Sequence, residues 1–174
     1  MKIQTGDILL VLEGQYKLAD LIMRVTNSKA HHVGVFRDPD TVSEMEAEGH
    51  ILTPWDSLKY NSGNPHDRTL ILMRYKRPLP LDEVVAFIDS NTAKYDYLAL
   101  LKHLFYRRFG WWLGRRSAKA AKRMTCSEWV AFLYHTFTGL WRIWYKAAPV
   151  NIKADHRDEF FYYAFVGGEL KEIV

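Results

Sequence analysis

The chain has 174 residues, 48% of them hydrophobic and 25% charged, a composition that suits one globular domain with a sizeable core. Its single cysteine excludes an intramolecular disulfide and any cysteine-rich zinc module. The net charge of +4 is local: Lys102 to Arg123 holds eight Lys or Arg and no Asp or Glu, so the rest of the chain is net acidic.

Met1 to Asp7 lacks the apolar core and cleavage site of a signal peptide, and no run is apolar enough to span a bilayer. The expected compartment is the cytoplasm, with non-classical export left open. Gly6-Asp7 leads into Ile8 to Leu12, a continuous apolar run that predicts a buried strand. Leu18, Leu21, Ile22 and Val25 then mark one face of an amphipathic helix ending near Asn27-Ser28. Three short strands follow: His31 to Phe36, Val42 to Ala47 and His50 to Thr53, the first two separated by the turn signal Arg37-Asp38-Pro39-Asp40. Asn61 to Asp67 reads as a polar loop, and Thr69 to Tyr75 as a further strand closed by Pro78 and Pro80.

Helical patterns dominate the second half. Val84, Val85 and Ile88 follow a Pro-Leu-Asp-Glu start, and Tyr97 to Phe109 carries a second pattern. A third helix begins at Cys126. Tyr162 to Val166 or Leu170 to Val174 offers a last strand. With no repeat and no linker, the expectation is a single α+β domain spanning 1–174.

The stretch richest in chemical signals surrounds the cysteine. Thr125 followed by Glu128 ahead of an apolar run forms a capping box, Trp129, Phe132 and Leu133 recur at helical spacing, and Gly139 supplies a stop. Cys126 would then be the first residue of a helix, where free backbone N–H groups and the dipole favour a thiolate. Lys122 and Arg123 push the same way. A lone cysteine is more commonly a small buried hydrophobe, so a nucleophile also needs a base and a group to orient that base. His31-His32 opens the second strand. Alternation sends the two imidazoles to opposite faces without saying which meets the cysteine. Gly34 leaves open space beside His32 for a substrate or a neighbouring helix. Glu44, Glu46 and Glu48 share a face of the next strand. Any of them has the parity to accept from an imidazole, although a solvated edge suits Glu44 and Glu48 better.

In this order, Gly-Asp-Ile-Leu, then His-Val-Gly-Val, then Glu-Ala followed by Gly, then Thr-Cys-Ser-Glu-Trp-Val resembles the circularly permuted papain-like cysteine hydrolases. These are the YiiX-like relatives of the NlpC-type cell-wall peptidases, related also to lecithin retinol acyltransferase. The resemblance runs from Gly6 to about Phe160 and implies a papain-like fold, a small antiparallel sheet packed against helices. It implies a cysteine amidohydrolase, peptidase or acyltransferase acting on amide or ester bonds through a thioester, on cell-wall peptides or lipid acyl groups. It places the nucleophile on Cys126, the base on His32 and the orienting carboxylate on Glu46. Tyr95-Asp96-Tyr97 resembles a Tyr-Asp pair that shapes the cleft, which makes Tyr97, with Gly34, a substrate-binding candidate. Pro149 to Asp155 resembles a late Pro-containing loop. No metal or cofactor is implied.

Two other readings compete. A metal site would use His31 or His32 with His50 and Cys126, although the chain offers no close ligand pair at the usual spacing. A binding module would use the basic, Trp-rich segment 107–123, where Trp111, Trp112 and the neighbouring arginines suit the surface of an anionic membrane. Single-stranded nucleic acid fits the same composition but is the less favoured partner.

Overall fold

A computed structural model describes residues 2–12, 23–24, 29–60, 69–99, 102, 105, 109, 122–166 and 169–173. β1 (Ile8–Leu12) shows why its sequence lacks polar alternation: all five side chains are buried because both faces of the strand are covered. Ile8, Leu10 and Leu12 point into one core, while Leu9 and Val11 point into another. β1 lies between β2 (Ala30–Asp38) and β5 (Thr69–Tyr75), antiparallel to both. β3 (Thr41–Glu46) and β4 (Gly49–Pro54) extend the sheet on one side, and β8 (Phe160–Val166) and β9 (Glu169–Glu172) extend it on the other. The result is a seven-stranded antiparallel sheet in the order β4-β3-β2-β1-β5-β8-β9. β6 (Lys94–Tyr95) and β7 (Arg123–Met124) form a separate parallel pair.

The larger core lies between one face of this sheet and the helices α2 (Leu81–Asp89), α3 (Cys126–Thr138) and α4 (Pro149–Ala154). Trp129, Val130, Leu133 and Tyr134 of α3 pack there with Val33, Val35 and Met45, and the largest of these side chains are fully buried. Burying each large apolar side chain is worth about 1.5–3 kcal/mol. The smaller core, on the other face, gathers Phe36, Val42, Leu70 and Leu72 under Trp55 of α1 (Trp55–Tyr60), whose ring meets Phe36 edge-on at 5.2 Å. The fold is therefore α+β, with a larger sheet than expected, because the C-terminal stretch supplies two strands rather than one.

Strands β1 and β5 run over the residues their sequences mark, and β2 begins one residue earlier and ends two later than expected. The helix at Cys126 ends at Gly139, whose φ of 75° is a left-handed conformation favouring glycine. Pro149 to Asp155, expected as a loop, folds as the short helix α4, with proline in its first turn, where a missing N–H costs nothing. The helical patterns at Leu18 to Val25 and Tyr97 to Phe109, the loop Asn61 to Asp67, and Trp111 and Trp112 lie wholly or mostly outside the described residues.

Candidate active site

The site is built from the start of α3 upward. Thr125 Oγ1 accepts from Glu128 N–H at 3.3 Å, and Glu128 Oε2 accepts from Thr125 N–H at 2.9 Å, completing the capping box. Glu128 is fully buried, so this reciprocal pair fixes the first turn inside the protein rather than at its surface. Ser127 Oγ–H donates to Ala147 O at 2.8 Å and ties the same turn to the segment before α4. Cys126 is held at the first helical position, 4% exposed.

The histidine comes from β2. Pairing with β1 runs Val11↔His32 and then Leu12↔Ala30, so His31 is the extra residue of a bulge. A bulge bends and twists its strand and re-aims the adjoining side chains. The His32 ring lies within hydrogen-bonding reach of the Cys126 thiol. His32 Nε2 also donates to Glu44 Oε2 at 2.6 Å. Burial works against a charged imidazole here. The hydrogen bonds to Cys126 and Glu44, with the charges of those groups, more than offset it, and the His32 pKa stands well above the ordinary imidazole value.

The carboxylate bonded to His32 is therefore Glu44 and not the expected Glu46. Glu46 Oε1 stands 3.7 Å from the same nitrogen, and its side chain is 47% exposed against 2% for Glu44. The expected solvated edge for Glu44 is also corrected. Glu44 is buried, with its carboxylate on His32, whereas Glu48, in the turn beyond the strand, is exposed. Gly34 accounts for the approach of β3. A Cβ there would lie 2.7 Å from Val42 Cγ1, 3.2 Å from Ser43 O and 3.5 Å from Glu44 Cβ. The space beside His32, expected to admit a substrate, is filled by β3 itself, and Gly34 is a packing residue. The register carried on from Val35↔Ser43 sets Glu46 rather than Glu44 across from His32, so no signal in the sequence selects Glu44.

Tyr97 is more than half exposed, and its hydroxyl donates to Ala47 O at 3.2 Å, tying the segment after β6 to the β3–β4 turn. Its ring lies 4.9 Å from that of Tyr95. Burial, together with the charges of Cys126 and Glu46, raises the Tyr95 pKa strongly, so this phenol keeps its proton. Asp96 is buried and anchors the segment: its N–H donates to Met124 O at 3.0 Å, and its Oδ1 accepts from Ala99 N–H at 3.2 Å.

His50, a proposed ligand of the rival metal site, belongs to a different network. Trp129 Nε1–H donates to Ser43 Oγ at 3.0 Å, Ser43 Oγ–H to His50 Nε2 at 2.8 Å, and His50 Nδ1–H to Asn91 O at 3.0 Å. Every donor in this chain meets an acceptor only when His50 is neutral, and burial lowers its pKa accordingly. Among the described residues, the group able to hold a cation is instead His32, Glu44 and Glu46, with one ligand atom of each within 4.8 Å of the others.

No helix among the described residues is long and apolar enough to cross a membrane. The chain matches no family model and no curated protein. Among solved structures it is similar to the metalloprotein YiiX of Escherichia coli O157:H7, a DUF1105 protein, at 18% identity, covering 80% of this chain and 69% of that one with a TM-score of 0.45.

Proposed function

We propose that this protein is a cysteine-dependent hydrolase or acyltransferase that forms a thioester on Cys126. The observation that carries this reading is one partly buried imidazole, His32, coupled both to the only thiol of the chain and to a buried carboxylate, Glu44. With Nε2 committed to Glu44, Nδ1 is the nitrogen left to exchange a proton with the thiol. With the thiol's proton already resting on His32, the sulfur of Cys126 attacks an acyl carbonyl, forming the C–S bond and a tetrahedral oxyanion. The backbone N–H of Cys126, at the start of α3, supports that oxyanion. The intermediate collapses as His32 returns the proton to the leaving amine or alkoxide. Water, or an acceptor alcohol or amine, then loses a proton to His32 and releases the acyl group. Glu44 orients the ring and stabilises its charged form throughout. Cell-wall peptide amides and lipid acyl groups are the proposed substrate classes. Incubation with p-nitrophenyl acyl esters and peptide mapping of the product tests the reading: the acyl group is expected on Cys126, and acylation elsewhere or nowhere opposes it.

A second reading is a metal centre on His32, Glu44 and Glu46, a donor set of one imidazole and two carboxylates that divalent ions accept. The distances favour the first reading. Two ligand atoms on one tetrahedral zinc stand about 3.3 Å apart, whereas His32 Nε2 and Glu44 Oε2 are 2.6 Å apart, the spacing of a shared proton. Zinc titration by calorimetry separates the two: tight stoichiometric binding lost in Glu44→Gln, together with acyl transfer that stops on chelation and returns with metal, supports the metal reading.

A further inference from the structure

Apart from Cys126, His32 and Glu44, none of which lines it, a groove of about 540 Å³ lies between the end of α2, the β6–β7 pair and one face of α3. Its floor is aromatic. Phe87 lies flat on Trp129, with centroids 5.7 Å apart and planes 7° from parallel, and Phe132 packs against Phe87 at 5.7 Å. Trp129 is only 1% exposed, so a ligand meets the partly exposed rings of Phe87 and Phe132 laid over it. Its rim is cationic: Lys94, Lys122 and Arg123 line it, and none of its lining residues is acidic. The backbone brings these cations together, because Lys94 is in register with Arg123 and its N–H donates to Lys122 O at 2.9 Å. Asp89, the carboxylate at the end of α2, is already held by Arg37 at 2.6 and 2.7 Å.

Like charges set side by side repel, and a bound anion relieves that repulsion. The volume falls in the range of small-molecule sites, and an apolar floor with a few polar groups at the rim is their usual lining. We infer that this groove binds an anionic amphiphile, a small molecule whose apolar body lies on Phe87 and Phe132 and whose phosphate, sulfonate or carboxylate is held by Lys94, Lys122 and Arg123. The site is independent of the hydrolase reading, since Cys126 takes no part in it.

Titrating the full chain with octyl phosphate, while following the Trp129 indole N–H signal by NMR, tests this. A saturable shift is expected, with affinity at least about tenfold weaker for inorganic phosphate and for octyltrimethylammonium. Lys94→Glu with Lys122→Glu weakens octyl phosphate by about tenfold or more at unchanged circular dichroism, and the milder Lys94→Ala with Lys122→Ala reads the same way if the reversal does not fold. Cys126→Ser binds like the wild type. The inference is overturned if octyltrimethylammonium binds equally well, if folded variants keep wild-type affinity, or if no saturable shift occurs.

Discussion

Glu44 Oε2 sits 2.6 Å from His32 Nε2, and both groups are withdrawn from solvent. A buried carboxylate in that position favours the charged imidazole and fixes its orientation, the two tasks a catalytic histidine requires of its partner. Glu46, farther away and half in water, is placed to do neither well. Glu44→Gln is therefore expected to lower the turnover of an acyl ester by about 10²- to 10⁴-fold. Glu46→Gln should stay within about threefold. Steady-state kinetics of the two variants decides the assignment, and a larger loss in Glu46→Gln would restore Glu46 to the role.

The titration of His32 offers a reading that needs no substrate. Burial opposes its protonation, while hydrogen bonds and charge from Cys126 and Glu44 favour it and win. By NMR of the imidazole nitrogens, His32 is expected to remain protonated well above its ordinary value of about 6.5, and in Glu44→Gln to titrate lower. Because the folded pKa is raised, this group's contribution to stability is fully present below the unfolded pKa and is lost as pH rises through the folded one. A wild-type His32 titrating at or below the ordinary value contradicts the arrangement.

His50 should behave in the opposite sense. Its neutral ring completes the Trp129–Ser43–His50–Asn91 chain, and its lowered pKa means that the unfolded chain binds the extra proton first. Stability tied to His50 is present above about pH 6.5 and falls as pH drops below it towards the folded pKa. Below about pH 6.5, where the contribution of His32 is already complete, urea midpoints should fall with acid in the wild type, and the fall should be smaller in His50→Gln. Ser43→Ala, which strands the Trp129 N–H, should cost about 1–3 kcal/mol at neutral pH. Acid sensitivity unchanged by His50→Gln would refute the network's role.

Gly34→Ala tests why β3 lies where it does. The added methyl would meet Val42 Cγ1 at 2.7 Å and Ser43 O at 3.2 Å, forcing β2 and β3 apart beside the His32–Glu44 pair. A loss of about 1–3 kcal/mol is expected by denaturant titration, together with a fall in turnover. Wild-type stability in this variant would mean that the strands have room the structure does not show.

The parts of this fold legible in the sequence are those set by local rules. An unbroken apolar run announces a strand covered on both faces, as Ile8 to Leu12 does. A Thr-x-x-Glu box with a later glycine bounds the Cys126 helix at both ends. The rest depended on which elements become neighbours. Glu44 looks like a surface residue until the fold sets its carboxylate on His32, and alternation alone does not tell His32 from His31 where the bulge turns the strand. The resemblance implies a loop at Pro149, although proline is equally at home in the first turn of a helix. The aromatic-cationic groove joins residues from three distant stretches, and no single stretch of sequence announces it.

Intact-mass kinetics with a p-nitrophenyl acyl ester would test the sharing of His32 between thiol and carboxylate most directly. The wild type should gain one acyl group within the mixing time, Cys126→Ser none, and His32→Ala should acylate at least about 10²-fold more slowly, while His31→Ala keeps nearly the wild-type rate. Equal acylation of the wild type and His32→Ala, or a loss confined to His31→Ala, would contradict it.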